Sequence, residues 1–308
     1  MRKILIRELE KLLVHPDFCL LTGDLGFMVL EPLQQQLGDR FINAGIAEQN
    51  MISVAAGMAK SGFRPWVYSI APFVYARPFE QVRNDIALHN LPVRLLGNGA
   101  GYGYGVQGAT HHAIEDIAVM RCLQNMEVYA PCFGSDFEGL IQYLAVSPHP
   151  AYIRLGYDFL PKEVTPPPFS KFRRVLDGTC GTVFALGSMA GVVYSVLSEL
   201  APEKRPALCA CATVPARLEE LPEEILTLLN RRLPVLTVEE HVRAGGLGEA
   251  IAGLLCEAGL PPAQMVMRTA CGYPGKRYGS QRFFWQLSRL DPESLLQTIQ
   301  QLFKQEVL

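Results

Sequence analysis

The chain has 308 residues, which is enough for two ordinary domains with well-buried cores. Its net charge of −2 and the lack of any basic run argue against nucleic acid or an anionic membrane as a partner. Hydrophobic residues make up 49%, yet no apolar run reaches membrane-spanning length and the N-terminus has no signal-peptide core. With scattered cysteines that suit reduced thiols, this composition predicts a cytoplasmic protein whose surplus apolar surface lies in a subunit interface.

Short β-rich runs alternate with helical patterns along the first half of the chain. Such alternation is typical of a mostly parallel sheet with helices on both faces, an α/β domain. The predicted strands are 18–22, 40–44, 65–70, 92–96, 127–130 and 151–155, and the predicted helices include 79–88 and 135–146.

A proline-rich segment at 160–168 interrupts this pattern, because it can continue neither a helix nor a central strand. We therefore predict two consecutive α/β domains with mostly parallel sheets, at 1–158 and 173–308, joined by a linker at 159–172. The second domain has predicted strands near 182–186, 207–212, 234–238 and 265–269, and helices near 190–200, 246–257 and 294–303.

Glu48 stands at the start of a helix, on a face where an apolar residue is expected. The apolar residues that share its face by helical spacing are Met51, Val54, Ala55 and Met58. A carboxylate on a packing face is costly unless it is paired, so we expect a polar group to meet it. The alternative is a first-turn glutamate favoured by the helix dipole. Glu48 also follows the strand at 40–44, and open α/β sheets bind ligands beyond the carboxyl ends of their strands.

A glycine-rich segment follows the strand at 92–96 and leads to two adjacent histidines, His111 and His112. Its glycines match a dinucleotide fingerprint at 103–108 but are too irregular for one tight turn, so we predict a closely packed loop. Adjacent histidines do not face one metal ion and no third ligand is near, so no metal site is predicted. We expect one histidine to be a buried hydrogen-bonding residue and the other to handle a proton or contact an anion.

Three motifs, taken together, resemble the transketolase family. They are Gly-Ile-Ala-Glu-Gln-Asn-Met at 45–51, Leu-Pro-Val-Arg at 91–94, and Gly-Ala-Thr-His-His at 108–112 with Glu115, Asp116 and Arg121; the segments 238–241 and 245–248 support them. The resemblance covers nearly the whole chain but only the C-terminal half of the family, namely its pyrimidine-binding domain and C-terminal domain. Several enzymes of this kind are encoded as two chains, of which this would be the smaller.

The resemblance implies how the chain would hold thiamine diphosphate. Glu48 would hydrogen-bond N1′ of the aminopyrimidine and favour its imino tautomer, while the cofactor supplies the carbanion chemistry. The segment 68–79 would form the aromatic pocket, with Phe73 stacked on the ring and Tyr75 and Arg77 as further cofactor contacts. From the residues alone, these aromatics are equally typical of a helix core.

The resemblance also implies the substrate contacts. His111 would touch the substrate and act in catalysis, and Gln107 stands where the family usually has an aspartate that contacts donor hydroxyls. Arg154 would bind the anionic group of a ketose, because a guanidinium suits a bidentate oxyanion. A salt bridge at the end of the sheet is the alternative role for Arg154.

The implied activity is transfer of a two-carbon ketol unit from a ketose, phosphorylated or otherwise anionic, to an aldose. The family's Gly-Asp-Gly and Asn ligands for magnesium diphosphate are not matched, because Leu25 replaces the second glycine and Asn43 comes too early. We therefore expect an N-terminal partner subunit to hold magnesium and the diphosphate, in a dimer of heterodimers. The alternatives are a 2-oxo acid dehydrogenase β subunit, an enzyme like 1-deoxyxylulose-phosphate synthase, and a non-catalytic assembly subunit.

Overall fold

The first of two sheets is entirely parallel and has six strands in the order β2-β1-β3-β4-β6-β5. The computed structural model describes residues 1–274 and 277–303. The strands are β1 Phe18–Thr22, β2 Phe41–Asn43, β3 Arg64–Ile70, β4 Arg94–Asn98, β5 Glu127–Tyr129 and β6 Ala151–Leu155. These are the six strands that the sequence predicts, with ends that differ by no more than two residues. The α/β fold class is therefore confirmed for this half of the chain.

Strand β1 shows why the strands could be read from sequence. Phe18 and Leu20 pack into the core on one face of the sheet, and Cys19 and Leu21 pack into the core on the other. A parallel strand covered on both faces is a continuous apolar run. Such a run is visible without knowing which strands lie beside it.

The second sheet has five strands in the order β11-β10-β8-β9-β7. They are β7 Phe172–Leu176, β8 Thr182–Leu186, β9 Ala207–Cys211, β10 Val235–Val238 and β11 Met265–Arg268. All neighbours are parallel except β7, which runs antiparallel to β9 at the edge. The sequence did not predict β7, because the charges of Arg173 and Arg174 conceal it; Arg173 is buried against Asp136.

Helices cover both sheets. Those of the first half are α1 Arg2–Glu10, α2 Glu31–Leu37, α3 Glu48–Lys60, α4 Ala71–Tyr75, α5 Phe79–Gln81, α6 Asp116–Arg121 and α7 Asp136–Val146. Those of the second half are α8 Met189–Ser198, α9 Glu223–Asn230, α10 Leu247–Glu257, α11 Gln281–Ser288 and α12 Pro292–Leu302. The predicted helix at 79–88 continues from α5 into a π-helical turn, Val82–Ala87. No helix in the described part of the chain has the length and hydropathy needed to cross a bilayer.

Residues 156–171 connect the two sheets without forming a helix or a strand. This segment includes most of the predicted linker, although Phe172 already belongs to β7. The domain boundaries at 158 and 173 stay a prediction.

The strand order of the first sheet reverses at β1. Its Thr22 lies beside Asn43 of β2 on one side and Tyr68 of β3 on the other. The chain therefore leaves β1 in one direction and returns past it in the other. In open α/β sheets the crevice outside the carboxyl ends of the strands at such a reversal is where ligands bind.

Candidate active site

Glu48 opens helix α3 beside this crevice, with its carboxylate turned inward. The side chain is only 3% exposed. Its Oε1 accepts a hydrogen bond from Arg77 Nη1 at 2.7 Å. Gly23, just after β1, lies so close that a Cβ there would be 3.9 Å from the Glu48 carboxylate. The buried acid thus has a polar partner in the chain itself, and it lies at the strand reversal.

The face of α3 that Glu48 shares differs from the prediction at one position. Met51, Ile52 and Ala55 are buried, but Val54 is exposed. At 100° per residue Val54 lies about 120° from Glu48 around the helix, whereas Ile52 lies about 40° away. Val54 therefore belongs to the outer face of α3, and its predicted burial is wrong.

Arg77 connects Glu48 to two further predicted site residues. Its guanidinium carbon lies 4.2 Å from the centre of the half-buried Phe73 ring, a cation–π contact. The Phe73 ring in turn meets the His111 ring edge-on at 5.2 Å. Glu48, Arg77, Phe73 and His111 therefore form one continuous cluster.

Tyr75 does not join this cluster. It lies two residues after Phe73, on the opposite side of α4, and is buried. Its ring packs edge-on against Tyr152 at 6.2 Å. Burial, followed by the nearby charge of Asp116, raises the pKa of its hydroxyl well above its usual value. The predicted cofactor contact of Tyr75 is not supported, and the residue is part of the core.

The two histidines follow the glycine loop, which we define as residues 99–112. His112 is buried, and its Nε2 donates to the carbonyl of Gly105 at 3.0 Å. His111 is half-buried, and its Nδ1 lies 2.9 Å from the Thr110 hydroxyl. Burial lowers the pKa of His111, and the positive charge of Arg77 lowers it further. The structure thus gives His112 the buried hydrogen-bonding place and leaves His111 neutral at the cluster.

Two other residues of the glycine loop bear on the site. Gln107 is exposed, in the single turn Gly105–Gln107 that precedes His111. Tyr104, which the sequence analysis did not single out, lies 5.9 Å from the His111 ring and accepts a hydrogen bond from Asn98 at 2.6 Å. Its only sequence signal is a large ring among glycines.

Arg154 is committed to the interior rather than to the cluster. Only 4% of its side chain is exposed, and its Nε lies 3.1 Å from Asp116 Oδ2. Its Nη2 donates to the carbonyl oxygens of Ala113 and Glu240, at 2.7 Å each. This geometry corresponds to the alternative role, a salt bridge at the sheet end, so the predicted substrate contact is not supported.

The cluster suits a flat, nitrogen-containing ring better than it suits a diphosphate. A buried carboxylate, an aromatic face and the glycines at 23 and 45 leave room and one acceptor for such a ring. The candidate metal-diphosphate residues bind each other instead: Asn43 Nδ2 donates to Asp24 Oδ1 at 3.1 Å, and Asp24 N donates to Asn43 Oδ1 at 2.9 Å. Within 1–274 and 277–303, no three His, Cys, Asp or Glu side chains are arranged to hold a metal ion.

Comparison with known proteins gives a consistent set of relatives. Residues 2–161 match the transketolase pyrimidine-binding domain. One of the two subunits of the apulose-4-phosphate transketolase from Phocaeicola vulgatus is 33% identical over 80% of this chain and 80% of its own length. The 1-deoxy-D-xylulose-5-phosphate synthase of Syntrophotalea carbinolica is 31% identical over 88% of this chain, which spans only 42% of that enzyme.

A solved structure extends the likeness over both sheets. It is described as a split-gene transketolase in an inactive beta4 tetramer, and it superimposes with a TM-score of 0.81 at 29% identity. The alignment covers 98% of this chain and 99% of that one. The similarity therefore includes the second sheet as well as the domain that carries the cluster.

Proposed function

This chain belongs to the transketolase family, as the C-terminal subunit of a split enzyme, and we propose that with an N-terminal subunit it moves a ketol unit from a ketose to an aldose. The observation that carries the proposal is the buried Glu48, held by Arg77 beside Phe73 and His111 at the strand reversal. A buried acid next to an aromatic face suits the aminopyrimidine of thiamine diphosphate. Once bound, that cofactor supplies the carbanion chemistry that ketol transfer needs.

Each residue of the cluster has a definite part in this proposal. Arg77 holds Oε1 of Glu48, so Oε2 is the oxygen left to meet N1′ of the pyrimidine. Because Glu48 is buried, its hydrogen bond to the ring acts in a low dielectric and is stronger than in water. Phe73 offers the ring a flat apolar surface. Neutral His111 can accept a proton or a hydrogen bond from a substrate hydroxyl, since burial and Arg77 keep its pKa low.

The proposal requires a partner subunit. Asp24 and Asn43 satisfy each other, so the magnesium and the diphosphate are assigned to the N-terminal subunit. We propose a dimer of heterodimers, with the anionic group of the sugar held elsewhere than at Arg154. The similar split-gene chain, described as inactive in a beta4 tetramer, supports the expectation that this chain alone is inert.

Two other enzyme classes remain distinguishable by substrate. A synthase like the 1-deoxyxylulose-phosphate enzyme would condense pyruvate with an aldose phosphate, and its similarity here is 31% over less than half of its length. The closer match in length to the apulose-4-phosphate transketolase subunit favours ketol transfer. A 2-oxo acid dehydrogenase β subunit would instead bind a lipoyl-domain acyltransferase core. A purely structural subunit would have no need for a buried Glu48.

The test is substitution of Glu48 in the complex reconstituted with the N-terminal subunit. Glu48→Gln keeps the shape of the side chain but removes its acidity, so exchange of the cofactor's C2 proton should slow by about a hundredfold or more. Proton exchange followed by NMR after acid quench measures this directly. Glu138→Gln, which removes an exposed carboxylate on α7, is the matched control. Wild-type exchange in the Glu48 variant, or ketol transfer by the homomeric chain, would contradict the proposal.

A further inference from the structure

The second half of the chain holds the glycine loop in place. The loop follows β4, on the first sheet, yet many of its neighbours come from residues 240–285. The Tyr102 ring stacks on Phe284 at a centroid distance of 4.7 Å, and its hydroxyl donates to the carbonyl of Gly272 at 2.7 Å. The His112 ring packs edge-on against the same Phe284 at 4.8 Å. The residue next to His111 is thus fixed by α11.

Glu240 is the polar centre of this contact. Its carboxylate is buried and follows β10. Oε1 accepts from the backbone N of Tyr102 at 3.0 Å and from Trp285 Nε1 at 2.6 Å. Gln281 Nε2 donates to both carboxylate oxygens, at 3.0 and 3.1 Å. One carboxylate therefore ties the loop backbone to two side chains of α11.

Two glycines of the loop are required by the closeness of this contact. Gly101 has φ +57°, and a Cβ there would lie 2.3 Å from the Glu240 carboxyl carbon. Gly105 has φ +35°, and a Cβ there would lie 2.9 Å from the backbone of Gly279 and Gln281. Any side chain at either position would push the loop away from α11. The irregular glycine spacing therefore follows from docking against the second domain.

We propose that Glu240 is a positioning residue, which anchors the glycine loop to α11 and thereby sets the place of His111. The anchor itself is a property of the chain alone. Only the consequence for catalysis rests on the proposed function, through the role of His111. Burial raises the pKa of the Glu240 carboxyl, although its hydrogen bonds from Gln281, Tyr102 and Trp285 oppose this effect. The second domain would thus act on the reaction without touching the substrate.

Hydrogen–deuterium exchange of the full chain tests the anchor. Glu240→Ala removes the acceptor for the Tyr102 amide, so amides of the glycine loop should exchange about ten- to hundredfold faster, as expected for loss of a hydrogen bond to a charged group. Glu240→Gln keeps an acceptor oxygen and should restore most of the protection. Glu239→Ala is the matched control, because that equally buried carboxylate bonds to Leu247 and Gly248 instead. Unchanged loop exchange in Glu240→Ala, or an equal increase in Glu239→Ala, would overturn the anchor.

A milder pair of variants covers the case in which Glu240→Ala does not fold. Gln281→Ala removes only the two bonds from Gln281, whereas Arg282→Ala changes the next, exposed residue of α11. We expect faster loop exchange in the first variant and wild-type exchange in the second. Equal exchange in the two variants would overturn the anchor.

Kinetics of the reconstituted complex test the effect on His111. Glu240→Ala should lower kcat/KM for ketol transfer by about tenfold or more, whereas exchange of the C2 proton, which reports on Glu48, should stay at the wild-type rate. Glu240→Gln should recover activity. If loop exchange rises but kcat/KM does not change, the positioning role is overturned. If the wild-type complex shows no ketol transfer, the proposed function fails, while the exchange data still decide on the anchor.

Discussion

At the scale of single residues, three buried carboxylates are paired with guanidinium groups, and the exposure of the partner separates them. Asp116 is paired with Arg154 and Asp136 with Arg173, and in both pairs each side chain is almost fully buried. Glu48 is paired with Arg77, whose side chain is 44% exposed. Removing a partner from a fully buried pair leaves an uncompensated charge. The pair at Glu48 is the one that an incoming ligand can reach and rearrange.

Arg154 should therefore matter for stability rather than for substrate affinity. Arg154→Ala leaves Asp116 buried without its partner, which should lower the free energy of unfolding by about 3–5 kcal/mol. Urea unfolding of the chain measures this change. Arg174→Ala, which removes a more exposed arginine paired with Asp177, should cost less than about 1 kcal/mol. A fully stable Arg154 variant with weaker binding of anionic sugars would restore the substrate role.

At the scale of elements, helix α10 begins on a carboxylate supplied by the strand before it. Glu239, just after β10, accepts hydrogen bonds from the backbone N of Leu247 at 2.7 Å and of Gly248 at 2.8 Å. Gly246 lies so close to this carboxylate that a Cβ there would be 2.4 Å from Oε2. Burial outweighs the two N–H donors and raises the pKa of Glu239 to about 7. The start of α10 is thus built around a carboxyl group that is costly to ionise.

This raised pKa predicts how stability depends on pH. The folded-state pKa of about 7 lies above the usual 4.5, so the contribution of Glu239 is fully present below about 4.5 and is lost as the pH rises through about 7. Glu239→Gln cannot ionise and should lack this loss. Urea unfolding of both proteins from about pH 4.5 to pH 8 measures the difference in slope. Parallel profiles would show that Glu239 does not titrate in this range.

At the scale of the whole molecule, exposed apolar side chains lie beside the site. Met28, after β1, is 94% exposed, and Ile46, just before Glu48, is 78% exposed. Val54 extends this surface along the outer face of α3, next to small residues such as Ser53 and Gly57. Exposed apolar surface of this kind marks an interaction site. The apolar composition of the chain thus has a place on the structure, at the edge of the sheet that carries the cluster.

Ile46→Glu should weaken association with the N-terminal subunit. Burying an apolar side chain of this size contributes about 1.5–3 kcal/mol, which corresponds to a loss of about ten- to hundredfold in affinity. Titration followed by analytical ultracentrifugation measures it. Val146→Glu changes an equally exposed residue at the end of α7, on the opposite edge of the sheet, and should leave affinity unchanged. If the two variants bind equally well, the subunit interface lies elsewhere.

The sequence by itself determined the strands that are buried on both faces and the residues that belong to recognisable motifs. Strands such as β1 and β6 are continuous apolar runs, and Glu48 and His111 stand in segments whose order along the chain identifies the family. Edge strand β7 escaped prediction because its arginines mask the pattern, and one of them is buried only through Asp136. Local pattern was sufficient wherever burial on both faces imposed it.

Only the tertiary structure decided which side chains meet. Arg77 is 29 positions from Glu48 along the chain, and Glu240 is 138 positions from Tyr102, so no local pattern relates them. Arg154 and Tyr75 illustrate the same limit, since a polar or aromatic residue at a strand or helix end can face a ligand or the core. The direction is set by the neighbouring elements, because a buried charge or hydroxyl is stable only where other parts of the chain supply its partners.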